Sequence, residues 1–191
     1  MPHPTQMSAT DTALLVIDVQ ERLMTKIPGA ATLVRNIAFL IDAARVLRLP
    51  VLATEQYPKG LGPTVPELAK RLPERPDKVA FSCCAIGSVI ETLHRQARPK
   101  VVLAGIEAHV CVLQTGLDLL AHGFRVYLPA DAVASRYPID REMALRRLEQ
   151  ADAIVTTSET AVFEWLGSAS HPQFKQISAL VQQRMKDNLE S

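Results

Sequence analysis

The chain has 191 residues, a length that suits one domain with a full core. Its 21 Lys and Arg stand against 20 Asp and Glu, a net charge of +1 that leaves no electrostatic footprint for nucleic acid or an anionic membrane surface. The apolar 48% comes in short runs broken by charge, none near the ~20 residues of a membrane span.

The first ten residues, Met-Pro-His-Pro-Thr-Gln-Met-Ser-Ala-Thr, lack the basic start and apolar core of a signal peptide. Three cysteines, two of them adjacent at Cys83 and Cys84, make no disulfide framework. Reduced thiols and a cytoplasmic setting are therefore expected.

Thr12-Ala-Leu-Leu-Val-Ile-Asp-Val-Gln is apolar without alternation, the pattern of a central parallel strand covered on both faces. It ends in Asp18, whose burial is costly outside a hydrogen-bonded or functional site. A strand-end Asp that caps the following turn is the other reading. Gln20 and Glu21 follow on the same loop. Leu33, Val34, Ile37, Leu40, Ile41, Ala44 and Leu47 recur at helical spacing and predict a helix over 30–49, ended by Pro50. Val51-Leu-Ala-Thr-Glu-Gln-Tyr reads as the second strand, and Pro58-Lys-Gly-Leu-Gly-Pro as a loop. Loops that leave strand carboxyl ends form the binding crevice of an open parallel sheet, so Gln56 and Tyr57 are candidates to face it. Tyr57 packed over its own loop is equally consistent with the pattern.

A short helix is predicted over 65–72, then a short third strand in Asp77-Lys-Val-Ala-Phe-Ser. From pattern alone Lys78 reads as a solvated surface residue, and Phe81, Cys83 and Cys84 as core or site wall. After a helix over 87–97 comes Lys100-Val-Val-Leu-Ala-Gly-Ile-Glu-Ala-His-Val-Cys, a buried strand that breaks at Gly105 and becomes a helix near Val110, stopping at Gly123. Cys111 falls at this junction, where unpaired N–H groups and the helix macrodipole favour negative charge and make a thiol easier to ionise. A buried structural Cys is the alternative. Arg125-Val-Tyr-Leu-Pro-Ala-Asp is the fifth strand. Its Asp131 is assigned to structural pairing, since Ser135 and Arg136 follow closely. A helix over 140–150, a sixth strand in Ala153-Ile-Val-Thr-Thr-Ser, a short helix over 160–166 and a last helix from Pro172 complete the chain.

Six strands alternating with helices predict an α/β protein: a three-layer αβα sandwich around a six-stranded parallel sheet, Rossmann-like, in a single domain over 1–191. Tails of about 1–10 and 185–191 are expected to be flexible. A nucleotide-binding module of the flavodoxin type is disfavoured, because Gly60-Leu-Gly-Pro lacks the spacing and helix start of a phosphate loop.

Three features taken together resemble the isochorismatase-like cysteine hydrolases: Leu-Val-Ile-Asp18-Val-Gln on the first strand, Lys78 with Phe81-Ser82 on the third, and Gly105-Ile-Glu-Ala-His-Val-Cys111-Val before the main helix. Within the family, Glu55-Gln-Tyr-Pro-Lys-Gly-Leu-Gly-Pro and His171-Pro-Gln-Phe-Lys are similar to the isochorismatase-domain-containing subgroup. The resemblance implies a triad of Asp18 as base, Lys78 as its charged partner and Cys111 as nucleophile. It further implies a cis peptide at Ile106-Glu107, with the N–H groups of Glu107 and Cys111 aimed at a developing oxyanion. A pocket lined by Gln20, Leu23, Gln56, Tyr57, Phe81, Ile106 and His109 is expected around them, His109 as wall rather than base.

The implied chemistry is hydrolysis of a small amide, imide or similar C–N bond through a thioester. Nicotinamidases of the family carry an Asp and His metal cluster after the second strand. Here that loop is Gln56-Tyr-Pro-Lys-Gly-Leu-Gly without a His, so neither zinc nor any other cofactor is expected. Isochorismatases proper cleave a vinyl ether without this Cys, so Cys111 argues against that reaction. A homo-oligomer is expected, with the apolar C-terminal helix as a contact. The competing expectation is a catalytically silent member that serves as an oligomeric binding or scaffold protein.

Overall fold

A computed structural model describes residues 3–189; residues 1–2 and 190–191, the ends of the two expected tails, lie outside the described residues. Seven strands form one parallel sheet: β1 (Thr12–Ile17), β2 (Val51–Gln56), β3 (Asp77–Lys78), β4 (Lys100–Ile106), β5 (Arg125–Pro129), β6 (Val133–Ala134) and β7 (Ile154–Thr156). Their order is β3-β2-β1-β4-β5-β7, with β6 paired to the end of β4. The sheet exceeds the expected six strands by β6, whose two residues are too few to give a periodic signal.

Nine helices cover the sheet: α1 (Glu21–Met24), α2 (Ala30–Val46), α3 (Pro58–Leu61), α4 (Pro66–Ala69), α5 (Gly87–Arg95), α6 (Leu113–Ala121), α7 (Pro138–Gln150), α8 (Ser158–Leu166) and α9 (Phe174–Leu189), counted among the described residues. Because side chains alternate along a strand, each central strand feeds two cores. Leu14, Val16, Val102 and Ala104 join α2, α8 and α9 on one face. Leu15, Ile17, Val101 and Leu103 join α5, α6 and α7 on the other. This two-sided burial explains why β1 and β4 read as unbroken apolar runs.

Residues 4–9 are held against the body. Met7 is buried and donates its N–H to Glu164 Oε2 at 2.8 Å, the Tyr127 hydroxyl donates to the Thr5 carbonyl at 2.6 Å, and Arg125 donates to the Pro4 carbonyl. At the other end α9 continues past residue 185, and its Phe174, Ile177, Leu180 and Val181 pack on the α2 side of the core. The apolar face expected to meet another subunit is thus occupied within the chain.

The chain winds outward from β1 through β2 and β3 in one direction and from β4 through β5 and β7 in the other. The strand order therefore reverses between β1 and β4, and the crevice outside the carboxyl ends of those strands is where open α/β sheets bind ligands. β1 delivers Asp18 to it. β4 delivers the segment from Glu107 to Cys111.

Candidate active site

Two backbone features shape the ends of these strands. Asp18 has φ of +53°, a left-handed conformation that turns the chain sharply as β1 ends, and its N–H donates to the Thr54 carbonyl at 3.2 Å. Gly105 has φ of +123°, and a Cβ there would lie 2.1 Å from the Ile17 carbonyl oxygen. Only glycine fits where β4 passes β1 this closely. The Ile106–Glu107 peptide bond is cis. A π-helical turn, Ala108–Val112, then runs without a break into α6. The helical segment therefore begins two residues earlier than its sequence pattern predicts, and Cys111 sits inside the π turn, within the first turn of that segment.

Asp18 is fully buried. Its Oδ2 accepts from Lys78 Nζ at 2.6 Å and its Oδ1 from the Thr54 hydroxyl at 2.8 Å. Lys78, 5% exposed, also donates to Gln56 Oε1 at 2.7 Å and to the Phe81 carbonyl at 2.9 Å. Those three acceptors use every proton of the ammonium group. The reading of Lys78 as a solvated surface residue is corrected: pairing of β3 with β2, Gln56 beside Lys78, turns its stem inward. Two buried opposite charges in contact, both satisfied by further hydrogen bonds, form the most demanding polar arrangement in the core.

Cys111 reaches this cluster from the other side. Its Sγ donates to Gln56 Oε1 at 3.9 Å, close enough to Asp18 to feel its charge, and it retains 6% exposure. Burial pushes the thiol up to about 12, the negative charge of Asp18 adds to this, and the Lys78 cation offsets only part. The expectation of an easily ionised thiol is thus overturned for the resting protein. Desolvation and the adjacent carboxylate outweigh the helix terminus, so sulfur is held as S–H beside the Asp18 carboxylate.

The other expected pocket residues divide. Gln56 sits within the cluster, its Nε2 donating to the Val79 carbonyl at 2.7 Å. Gln20 is buried and its amide is consumed by loop contacts: Nε2 donates to the Gln56 and Gly62 carbonyls at 3.0 and 2.7 Å, and Oε1 accepts from the Gln56 N–H at 2.7 Å. Leu23 packs against the core on the α2 side, whereas Cys111 belongs to the opposite side. Tyr57 lies with its ring over Gly60 and is half exposed, as is Phe81. Ile106 is fully buried. His109 bonds through Nδ1 to the Ser135 hydroxyl at 3.0 Å, with Nε2 3.6 Å from Asp140 Oδ2. Glu107 Oε1 accepts from the Arg136 backbone N–H at 3.2 Å and side-chain Nε at 2.9 Å. Asp131 does make structural pairs, but with Ser158 and Arg184, because Ser135 and Arg136 turn toward His109 and Glu107.

Two further residues join the cluster, Thr54, which the sequence reading passes over, and Cys83, which it assigns to core or site wall. Thr54 stands two positions before Gln56 on β2, hence on the same face, and its polarity inside an apolar run was the available signal. Cys83 is buried with Sγ 3.4 Å from the Thr54 hydroxyl oxygen.

Fold and site together define a parallel α/β protein in which a fully buried carboxylate–ammonium pair lies beside a thiol at the topological switch point. The isochorismatase domain model matches residues 12–160, and the chain belongs to the isochorismatase family. Isochorismatase domain-containing protein 2 from Macaca fascicularis is 40% identical over 180 residues, covering 92% of this chain and 85% of the relative. Among solved structures, the MAR1 ribonuclease from Caenorhabditis elegans is 45% identical with a TM-score of 0.88, covering 93% of both chains. The YcaC gene product from Escherichia coli, described as an octameric hydrolase of unknown specificity, shares the fold at 23% identity with a TM-score of 0.89 over 100% of this chain and 97% of its own.

Proposed function

We propose that the protein is a metal-independent cysteine hydrolase acting on a small amide, imide or similar C–N bond. The observation that carries this reading is the buried Asp18–Lys78 pair at 2.6 Å with the Cys111 thiol beside it, its Sγ 3.9 Å from the Gln56 Oε1 that Lys78 also holds. Because the thiol is held protonated, its proton passes to Asp18 as sulfur attacks the substrate carbonyl, rather than beforehand. The new C–S bond gives a tetrahedral oxyanion, for which the N–H groups of Glu107 and Cys111 are the proposed donors. Collapse breaks the C–N bond, and Asp18 returns the proton to the leaving nitrogen. Water, deprotonated by the same Asp18, then hydrolyses the thioester, releasing the acid and restoring the thiol. Lys78 fixes the carboxyl group throughout and keeps it charged before each proton transfer; with its three protons already bonded, it serves Asp18 rather than the substrate.

No cofactor has a place in this scheme. Among the described residues no group of three or more His, Cys, Asp or Glu side chains could hold a metal ion. No helix of the described chain is long and apolar enough to cross a membrane. A cytoplasmic homo-oligomer is proposed with it: Tyr57, Val79 and Phe81 in the loops after β2 and β3, and Tyr137 and Ile139 at the start of α7, leave large apolar surface exposed.

The name of the nematode structure favours testing RNA as a second substrate, although the near-balanced charge offers RNA no basic track. A catalytically silent scaffold is the third outcome. The experiment is a turnover screen of small amides and imides by ammonia or amine release, beside a labelled single-stranded RNA, with parent and Cys111→Ala proteins in the presence of a chelator. Amide turnover that survives chelation and is lost in Cys111→Ala supports the proposal. RNA cleavage that persists in Cys111→Ala, or no turnover of any compound with an unreactive Cys111, overturns it.

A further inference from the structure

Asp18 is bonded on both oxygens, and only one of those bonds comes from the proposed triad. Its Oδ2 takes Lys78. Its Oδ1 takes the hydroxyl of Thr54 at 2.8 Å, and the same hydroxyl oxygen lies 3.4 Å from the thiol of Cys83. A hydroxyl has one proton. A carboxylate has none to give, so the Thr54 proton points to Asp18, and the Thr54 oxygen is left to accept the S–H of Cys83. The backbone fixes both ends of this chain: Thr54 is a central residue of β2, and the Cys83 N–H is anchored on the Thr115 hydroxyl of α6 at 2.9 Å. All three side chains are closed to solvent.

We infer that Thr54, backed by Cys83, is a positioning residue that adapts to both protonation states of Asp18. This rests on the proposed Cys111–Asp18 proton transfer. While Asp18 is charged, Thr54 donates to it and stabilises the carboxylate. When Asp18 carries the proton taken from Cys111, the Thr54 hydroxyl turns about its Cβ–Oγ1 bond and accepts, directing its own proton toward the Cys83 sulfur, whose S–H swings away. No bond is made or broken; two rotors reverse. A valine in this place would fill the same volume and serve neither state. Lys78 cannot do this work, because an ammonium group only donates.

The groups that titrate against Asp18 are Lys78 from β3, Cys83 from the turn after it and Cys111 from the π-helical turn; Gln56 and Thr54 are the neutral partners from β2. Burial pushes Cys83 up to about 11, so it remains an S–H donor at neutral pH.

The test reads Cys111 alkylation by iodoacetamide against pH, by peptide mass spectrometry, and needs no substrate. In the parent, the rate rises along an acid limb that reports ionisation of Asp18 and is abolished in Asp18→Asn. Loss of one hydrogen-bond donor weakens the carboxylate by roughly 1 kcal/mol, so Thr54→Val is expected to move the limb upward by about half to one pH unit. It should also slow labelling on the plateau by about three- to tenfold. Thr54→Ser restores both, and Cys83→Ser stays close to parent while Cys83→Ala moves partway toward Thr54→Val. Thermal melting by circular dichroism establishes that each variant is folded. If folded Thr54→Val keeps the parent limb and rate, or if Thr54→Ser fails to restore them, the inference is overturned while the triad stands. If the parent has no Asp18-dependent limb, both fall. Should Thr54→Val fail to fold, the Cys83 pair decides: equal behaviour of Cys83→Ala and Cys83→Ser overturns the adapting chain.

Discussion

Cys111 and Asp18 are coupled in a way that gives opposite signs to two substitutions. The Asp18 charge raises the Cys111 thiol and the Lys78 cation lowers it. Asp18→Asn should therefore bring thiolate alkylation at alkaline pH to lower values than in the parent, although the base is gone, and Lys78→Met should push it further up. Shifts of the basic limb in the same direction would contradict the arrangement. A second consequence concerns stability. Lys78→Met leaves a carboxylate with no exposure and no cation, at a cost of about 3–5 kcal/mol in urea unfolding. Asp18→Asn combined with Lys78→Met should recover most of that loss, because no uncompensated charge remains.

The elements around the site were legible to different degrees, for local reasons. β1, β4 and α2 announce themselves because each buries one continuous apolar surface. β6 has two residues, and α3 hides in Pro58-Lys-Gly-Leu, where Gly and Pro read as a loop although Pro at the first helical position is favourable. Asp18 and Cys111 stood out by their places at strand ends, whereas Lys78 was visible only through a family pattern, since alone it looks like a surface residue and becomes buried only once β3 is laid against β2. Gly105 is the tightest of these constraints. In Gly105→Ala the new methyl meets the Ile17 carbonyl and the Ile17 nitrogen at 2.1 and 2.8 Å, both backbone atoms, so β1 and β4 must separate. A loss of about 4 kcal/mol or more is expected in denaturant titration, with iodoacetamide labelling of Cys111 no longer selective over Cys84.

At the scale of the molecule, acid should be the weak side. Burial alone would raise Glu55, but the Thr64 hydroxyl and N–H and the Arg75 guanidinium together hold it below the usual carboxylate range. Burial likewise opposes, and Lys100, Ser8 and Thr12 overcome, for Asp11. A carboxylate lowered by folding contributes stability above its unfolded value and loses it as pH falls through the folded one. The melting temperature should therefore hold from neutrality down to about pH 4.5 and drop below it. Thr64→Val should soften that drop, since the hydroxyl bond that favours charged Glu55 is removed while the backbone N–H bond of residue 64 stays. Light scattering at micromolar concentration tests the oligomer; a monomer would assign the exposed Tyr57, Val79 and Phe81 to another role.

The sequence by itself determined the layers and the strand succession, because apolar periodicity is a local property of the chain, and it determined which residue types were available for chemistry. What only the tertiary structure decided is what those residues are. Sheet order brings Asp18, Thr54, Lys78, Cys83 and Cys111 together from β1, β2, β3 and the turns after β3 and β4. Contact made by the fold pairs Lys78 with Asp18, and burial keeps Cys111 protonated. Solvation is a property of the folded surroundings, and no spacing of residues along a chain contains it.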